Sequence, residues 1–269
     1  MISPLHALLL GVLEGVTEFL PVSSTGHLIL ASHLLGLGGE AVKTFEVVIQ
    51  AGALLAVLAL YRGRVGAMAR GMAGRDASGR ALAVNLAVSF LPAAAAGLLL
   101  HRAIKAQLFT DRAVVAALAL GGMIMLAVDR WLRARGRASG RSVESITWRE
   151  ALLIGCAQCL SLWPGTSRAM VTLVAGMLVG LPATAAAEYS FLLALPTLGM
   201  ATLFDAATGG AALLRDVGAL SLALGFGAAA LVAGLAVRGF VRYLTRRGLA
   251  PFGWYRIALA AAVWLTEMR

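Results

Sequence analysis

Residues 13–27 read Leu-Glu-Gly-Val-Thr-Glu-Phe-Leu-Pro-Val-Ser-Ser-Thr-Gly-His, which places two carboxylates, a hydroxyl cluster and an imidazole among apolar residues. A charged side chain at the centre of a bilayer costs about 2.5–3.5 kcal/mol on insertion scales, so Glu14 and Glu18 indicate a function if this stretch lies in a membrane. Pro21 and Gly26 interrupt helices, and a broken helix at membrane depth is tolerated only where protein or a wet cavity covers its backbone. We therefore expect a reaction centre within a broken membrane helix.

The composition of the whole chain is that of a membrane protein. Of its 269 residues, 60% are hydrophobic and 13% are charged, whereas soluble domains average roughly 25% charged residues. The formal net charge of +10 would suit nucleic acid, but the arginines fall between apolar stretches, so topology explains them and no nucleic-acid partner is expected. Cys156 and Cys159 have no second Cys or His pair nearby, which favours packing over zinc or redox chemistry.

Ten apolar segments follow one another, five in each half of the chain. Several are shorter than the about 20 residues that a span needs, and the short ones flank polar breaks at 23–26 and 165–167, which is typical of re-entrant hairpins. The sequence predicts an all-α polytopic membrane protein, a single integral membrane domain over 1–269, with a re-entrant helical hairpin and about three transmembrane helices in each half. The segments lie at about 5–20, 26–37, 45–61, 81–101, 113–132, 151–163, 168–181, 183–204, 217–237 and 252–265.

The second half of the chain repeats the first. Pro21-Val22-Ser23-Ser24 aligns with Pro164-Gly165-Thr166-Ser167, and Phe45-Glu46 aligns with Ala187-Glu188 further along. An odd number of crossings per repeat inverts the second copy, and inverted repeats place their site at the midplane between broken helices. We therefore predict inverted-topology repeats over about 1–132 and 147–269, with Ser24 facing Ser167.

The charge of the loops predicts the orientation. Three arginine-rich loops fall on one side, after Tyr61, after the first repeat and after Val237, so by the positive-inside rule this side is cytoplasmic. The first hairpin then opens to the outer face, and the second enters from the cytoplasmic face. The loop after Tyr61 has five arginines and one acidic residue: Arg62, Arg64, Arg70, Arg75, Arg80 and Asp76. The two loops of the opposite side have fewer basic residues for each acidic one: Arg102, Lys105 and Arg112 with Asp111, and Arg215 with Asp205 and Asp216.

Glu14 and Glu18 are four residues apart, so on a helix they share a face and repel each other. A divalent cation bridging to phosphate oxygens, a shared proton or a nearby arginine would each compensate for this repulsion. The alternative is that both carboxylates are structural and pair with an arginine of a neighbouring helix.

The hydroxyl cluster precedes a new helix, whose free N–H groups and dipole favour an anion. Ser23, Thr25 and Gly26 are candidates to bind it, although serine and threonine at such a position also serve as ordinary N-caps. Ser24 and His27 are three residues apart, the arrangement of a nucleophile and its base.

The second hairpin offers Thr166, Ser167 and Arg168 at the start of another apolar helix. A planar guanidinium with fixed donors suits a phosphate. The alternative without a binding role is that the Arg168 side chain extends to the membrane interface. Further polar residues inside apolar segments are candidates to pair with Arg168 or to line the cavity: Glu46, Gln50, Gln158 and Glu188.

Three stretches, 14–27, 43–50 (Lys-Thr-Phe-Glu-Val-Val-Ile-Gln) and 163–168 (Trp-Pro-Gly-Thr-Ser-Arg), resemble the bacitracin-resistance type of undecaprenyl-diphosphate phosphatase, and the resemblance covers essentially the whole chain. It implies hydrolysis of undecaprenyl diphosphate to the monophosphate carrier and inorganic phosphate at the outer face of a bacterial inner membrane. This reaction recycles the carrier for cell-wall synthesis and confers bacitracin resistance. Magnesium or another divalent cation and a homodimer are also implied.

The resemblance assigns roles to individual residues. It implies that Glu14 and Glu18 are the acidic pair, Ser24 the nucleophile, His27 its partner and Arg168 the phosphate clamp. One departure is that Ala169 and Met170 stand where the family pattern has Ser-Gly.

The mechanism that the residues suggest is attack of Ser24 on the terminal phosphorus, with His27 or Glu18 taking its proton and water then cleaving the phosphoseryl intermediate. Direct attack by a cation-bound water, with Ser24 orienting the phosphate, is equally consistent with these residues. The rival function is a lipid-carrier flippase or transporter, because broken helices in inverted repeats are common in transporters. The concentration of nucleophile, base and acid in one hairpin favours the enzyme.

Overall fold

A computed structural model describes residues 2–108, 110–136 and 140–267. The regular structure in these ranges is helical throughout, with no strand, so the predicted all-α class is confirmed. The helices are α1 (Pro4–Thr17), α2 (Ser24–Leu34), α3 (Glu40–Leu60), α4 (Arg62–Met72), α5 (Ala77–Leu108), α6 (Asp111–Arg135), α7 (Trp148–Gln158), α8 (Arg168–Leu178), α9 (Ala183–Val217), α10 (Ala219–Arg246) and α11 (Ala250–Glu267).

The described residues include four helical stretches that are long and apolar enough to cross a membrane, in α5, α6, α9 and α10. The helices α3 and α4 give a fifth candidate if they form one span, which is bent by 80° at Tyr61. In contrast, α1 and α8 are apolar but have only 14 and 11 residues, too few to cross alone. The predicted multi-pass membrane protein is confirmed at this level.

Predicted loops are wrong at four places: besides the two described next, α5 continues through positions 102 and 105 to Leu108, and α10 continues through positions 238 and 242 to Arg246. The arginine-rich segment after Tyr61 forms α4, because Gly71 and Gly79 let α4 pack directly against the start of α5: a Cβ on Gly71 would lie 2.1 Å from the Arg80 nitrogen. The backbone of 205–216 is helical, since α9 continues to Val217. The orientation stays a prediction, because several charged side chains on which it rests lie outside the described ones: Arg102, Lys105, Asp111, Asp205, Arg215 and Asp216. The side chain of Lys43, in the 43–50 stretch, also lies outside them.

Small residues let α1 lie against α10 with little space between the backbones. A Cβ on Gly11 would be only 2.3 Å from the carbonyl oxygen of Gly225, and one on Gly15 would be 2.8 Å from that of Ala229. Without a hydrophobic drive between helices in lipid, such close approach is the main source of packing energy. The short α1 is therefore fixed in place by its long neighbour, and α10 in turn packs on α3.

Helix α6 lies beside both interruptions of the short helices. The Leu118 side chain is 3.6 Å from where a Cβ on Gly26 would be, and the Val114 carbonyl oxygen is 2.7 Å from a Cβ on Gly165. The Trp163 indole also donates to the Ala113 carbonyl oxygen at 2.9 Å. The turn before α2 and the turn before α8 are thus held against one helix, although 144 residues separate the starts of α2 and α8.

Candidate active site

Glu18 lies at the centre of the polar groups that these two turns bring together. It is the C-cap residue of α1 and is 6% exposed. The Ser24 hydroxyl donates to its Oε2 at 2.7 Å, and Gln50 Nε2 donates to the same oxygen at 3.4 Å. Arg168 Nη2 donates to its Oε1 at 3.2 Å. One carboxylate therefore joins the end of α1 to the starts of α2 and α8 and to α3.

The backbone is strained immediately before Ser24 and Arg168. Ser23 has φ +74° and Ser167 has φ +70°, and they are the only non-glycine residues with positive φ in the described ranges. Such a conformation costs on the order of 1–3 kcal/mol and persists only where the surroundings enforce it. Each serine caps the helix that follows, Ser23 Oγ accepting from the Gly26 nitrogen at 3.3 Å and Ser167 Oγ from the Met170 nitrogen at 3.2 Å. The strain therefore sits at the residues that aim Ser24 and Arg168 at Glu18.

Arg168 is held by two groups and keeps one donor free. Its Nη1 donates to the Ser190 carbonyl oxygen at 2.9 Å, and the ion pair with Glu18 is nearly dry, the two side chains being 8% and 5% exposed. Its Nε is buried without a hydrogen-bond partner. Breaking a buried pair by removing one partner typically costs about 3–5 kcal/mol because the other charge is left uncompensated. A phosphate oxygen would satisfy the free Nε.

Glu14 is fully buried, and no donor group bonds to its carboxylate oxygens; the polar group next to it is the Glu18 carboxylate, to which it can bond only through a shared proton. The charges of Glu18 and Glu46 repel it, and only Arg168 acts on it with the opposite sign. A buried carboxylate without partners is costly, so this side chain needs a proton or a cation. No group of three or more His, Cys, Asp or Glu side chains in the described part of the chain is arranged to hold a metal ion.

The expected hydrogen bond between Ser24 and His27 is not formed. The His27 ring turns back along α2, with Nδ1 2.8 Å from the Ser23 carbonyl oxygen and Nε2 2.6 Å from the Tyr255 hydroxyl oxygen. Both ring nitrogens are therefore engaged, and the Ser24 hydroxyl donates to Glu18 instead. Of the two bases that the sequence left open, the geometry favours Glu18.

The other predicted phosphate ligands divide between the two turns. Ser23, Gly26 and Thr166 are buried, whereas Thr25 is exposed. The hydroxyl of Ser167 caps α8, and the partner that reaches Ser24 through Glu18 is Arg168 rather than Ser167. The predicted facing of Ser24 and Ser167 is thus replaced by one of Ser24 and Arg168.

The remaining polar residues of the apolar helices have different surroundings. Gln50 joins the site at Glu18, and Glu46 accepts from the Ser32 hydroxyl at 3.2 Å. Glu188 does not pair with Arg168, because it accepts from Arg64 Nε at 2.7 Å. Gln158 is fully buried, and its Oε1 accepts from the Thr197 hydroxyl at 3.4 Å.

Two residues next to the site were missed in the sequence, Tyr255 and Arg256 on α11. Tyr255 holds the imidazole of His27, and Arg256 Nη2 donates to the Gly165 carbonyl oxygen at 2.9 Å. The signal was available, since Arg256 is a charged residue inside an apolar segment, as Glu14 and Glu18 are.

The sequence of the chain is similar to that of known proteins over nearly its whole length. The model of the family described as bacitracin resistance protein BacA matches residues 7–262. An undecaprenyl-diphosphatase of Sorangium cellulosum is 55% identical over 261 residues, covering 96% of this chain and 85% of the relative. An undecaprenyl-diphosphatase of Nitrosomonas europaea is 44% identical, and the match covers 97% of this chain and 94% of the relative. One of Wolinella succinogenes is 46% identical, and the match covers 94% of each chain.

Proposed function

The chain belongs to the bacitracin resistance protein BacA family, and we propose that its undecaprenyl-diphosphatase reaction takes place at Glu18, Ser24 and Arg168. The enzyme hydrolyses undecaprenyl diphosphate to undecaprenyl phosphate and inorganic phosphate, as its named relatives indicate. The observation that carries the assignment of the site is the Glu18 carboxylate, which accepts from the Ser24 hydroxyl and from the Arg168 guanidinium. A flippase or transporter finds no support in the family match or in these relatives.

Ser24 is the nucleophile in the proposed mechanism. Its hydroxyl oxygen attacks the terminal phosphorus while Glu18, already 2.7 Å away, takes the proton. The bond between phosphorus and the bridging oxygen breaks, and undecaprenyl phosphate leaves with that oxygen. Water then attacks the phosphoseryl group, Glu18 returns the proton to the Ser24 oxygen, and inorganic phosphate is released. Arg168 binds the phosphoryl oxygens and stabilises the negative charge that develops on them.

Direct attack by water is the second route. In it Ser24 donates a hydrogen bond that orients the phosphate, and Glu18 takes the proton of the water. The two routes use the same side chains, so the reactivity of a variant without the Ser24 hydroxyl distinguishes them.

The donor set fits a magnesium ion held at Glu14 together with the substrate. Both carboxylate oxygens of Glu14 are open, whereas both oxygens of Glu18 already accept hydrogen bonds. Magnesium commonly takes only one or two protein carboxylates and completes its shell with water and substrate phosphates. Bound there, with Glu18 nearby, the cation would neutralise charge on the diphosphate and relieve the repulsion between the two carboxylates.

We also propose that the two halves are inverted repeats, each with a re-entrant hairpin. Ser23 and Ser167, the two strained N-cap residues, are 144 residues apart in the chain. The starts of α2 and α8, helices of 11 residues each, are separated by the same number of residues. The same spacing relates buried residues of α1 to those of α7: Ala7 to Ala151, Leu10 to Ile154, Gly11 to Gly155 and Glu14 to Gln158.

This spacing shifts the alignment by one residue from the one read in the sequence. Ser24 then corresponds to Arg168, so equivalent positions of the two repeats supply the nucleophile and the phosphate ligand. Such a division of roles is typical of a site at the interface between repeats.

The proposed location is the bacterial inner membrane with the site open to the outer face. Ala73 is exposed between α4 and α5, so the side of the membrane from which a thiol at this position can be labelled tests the orientation. After Cys156 and Cys159 are replaced, the thiol of Ala73→Cys should react with an impermeant reagent only in inverted or broken membranes. Labelling in intact cells would overturn the orientation. The homodimer stays a prediction.

Phosphate release by the purified protein in detergent tests the site. Wild type should release phosphate from undecaprenyl diphosphate, and Glu18→Gln, which keeps the shape but not the charge of the central group, should lose at least about a hundredfold in rate. Glu150→Gln is the matched control, because Glu150 also pairs with an arginine, Arg141, but away from the two turns. Wild-type rates in Glu18→Gln would overturn the assignment of Glu18.

A further inference from the structure

Arg256 is a fully buried arginine in the last apolar helix, and the described residues give it no carboxylate partner. Its Nη2 donates to two backbone carbonyl oxygens, those of Ala117 at 3.0 Å and Gly165 at 2.9 Å. Its Nε and Nη1 are buried without a hydrogen-bond partner. Burying a charge in this way is costly unless something is gained from it. What Arg256 contacts is the turn that ends at Arg168.

The packing around Arg256 is arranged to admit its guanidinium. A Cβ on Gly121 would lie 2.3 Å from Arg256 Nη2, so a glycine at this position of α6 leaves the space that the group occupies. Gly165 has φ +91°, and its carbonyl oxygen lies two residues before the strained Ser167. Arg256 therefore ties the second turn to α6 directly before the residue that aims Arg168.

Tyr255, the preceding residue of α11, does the same for the first turn. Its hydroxyl oxygen is 2.6 Å from His27 Nε2, and the two rings are stacked with centroids 5.6 Å apart and an angle of 3° between their planes. His27 Nδ1 lies 2.8 Å from the Ser23 carbonyl oxygen. A chain of contacts thus runs from Tyr255 through His27 to the strained residue before Ser24.

We infer that Tyr255 and Arg256 are positioning residues, which hold both strained turns so that Ser24 and Arg168 meet at Glu18. Two neighbouring side chains on one helix reach the two turns, so a displacement of α11 would move both. The two turns come from different halves of the chain, and this dipeptide adds side-chain hydrogen bonds to both of them beside the packing of α6. The inference rests on the proposed site, since it gives His27 a positioning role and leaves proton transfer to Glu18.

Coupling between variants separates positioning from a general structural role. In the purified full-length enzyme, Tyr255→Phe keeps the ring and removes only the hydroxyl, and we expect kcat to fall about tenfold. In a His27→Ala background, in which the chain of contacts is already broken, Tyr255→Phe should have less than a twofold further effect. A purely structural tyrosine would give the same factor in both backgrounds.

Arg256 is tested by two different perturbations. Arg256→Met should lower kcat at least tenfold, and Arg256→Lys should recover part of the loss because the ammonium group still donates to carbonyl oxygens. Gly121→Ala keeps the arginine but takes its space, so it should lower kcat in the same direction even if Arg256→Met fails to fold. Gly227→Ala on α10 is the matched control, because a Cβ on Gly227 meets nothing within 4 Å.

The outcomes distinguish the inference from the proposed function. Full kcat in both Tyr255→Phe and Gly121→Ala, or equal factors for Tyr255→Phe with and without His27, would overturn the positioning role while wild type stays active. Absence of phosphate release from wild type itself would instead count against the proposed function.

Discussion

The hydroxyl of Ser24 decides between two mechanisms that share every other residue, so Ser24→Ala is the most informative substitution. If Ser24 is the nucleophile, removing its oxygen abolishes the covalent route, and the rate should fall more than a thousandfold while substrate binding is largely kept. If water attacks directly, the variant loses one hydrogen bond. In the structure this hydroxyl donates to the Glu18 carboxylate at 2.7 Å. A bond of this kind to a charged group contributes about 1.5–3 kcal/mol, which corresponds to about a ten- to hundredfold change in rate.

The assay is phosphate release at saturating undecaprenyl diphosphate and magnesium, with purified protein in detergent. Ser221→Ala is a suitable control, because Ser221 is also a buried serine whose hydroxyl donates a hydrogen bond, to the Ile2 carbonyl oxygen at 3.1 Å, but on α10. Ser24→Cys should keep a trace of activity, because a thiol still attacks but gives a poor intermediate. A rate of Ser24→Ala above about one per cent of wild type would refute the phosphoseryl route for this enzyme.

The other predictions concern the charged groups. Arg168→Lys should lower the rate at least about tenfold although the charge is kept, because a compact ammonium group lacks the planar fork that reaches the Ser190 carbonyl oxygen with one nitrogen and the Glu18 carboxylate or a phosphate with another; near-normal turnover would show that the fork is not needed. Glu14→Gln should weaken the dependence of the rate on added magnesium, and an unchanged titration curve would remove the cation from Glu14. In the first turn of α7, the hydrogen bond from Arg141 lowers the pKa of Glu150 to about 2. The pair therefore stabilises the fold above pH of about 4.5 and is lost as the pH falls towards 2, so the difference in unfolding temperature between wild type and Glu150→Gln should shrink over this range; a constant difference would contradict it.

The sequence predicted the components of the site because its signals are local. Carboxylates within an apolar stretch, and helix breaks followed directly by Ser24 and by Arg168, can be recognised without knowing where the helices pack. The all-α class followed from the same apolar segments. The arginines after Tyr61 predicted a loop where α4 lies, because charge alone does not distinguish a loop from a helix whose glycines let it pack against a neighbour.

The pairing of these components was not predictable in the same way. His27 is three residues from Ser24 and was expected to contact it, but its ring is taken by Tyr255, which is 228 residues away in the chain. The repeat alignment that we propose differs by one residue from the alignment read in the sequence for a similar reason. It rests on the positive φ of Ser23 and Ser167, and such a backbone conformation of a serine leaves no mark in the sequence.

In the proposed mechanism, the Glu18 carboxylate has different partners before and after the substrate binds. Without substrate, Arg168 donates to Glu18, so the positive charge stabilises the carboxylate and keeps a buried ion pair satisfied. A diphosphate carries more negative charge than one carboxylate and also accepts two parallel hydrogen bonds from a guanidinium. We therefore expect its arrival to draw Arg168 away from Glu18. Glu18 then keeps the Ser24 hydroxyl and Gln50 as its donors and has its Oε1 free, so the group that binds substrate also opens the carboxylate that takes the Ser24 proton in the proposed mechanism. Arg168→Met should therefore raise KM and also lower kcat at saturating lipid, whereas an arginine that only holds the substrate in the ground state would leave kcat unchanged.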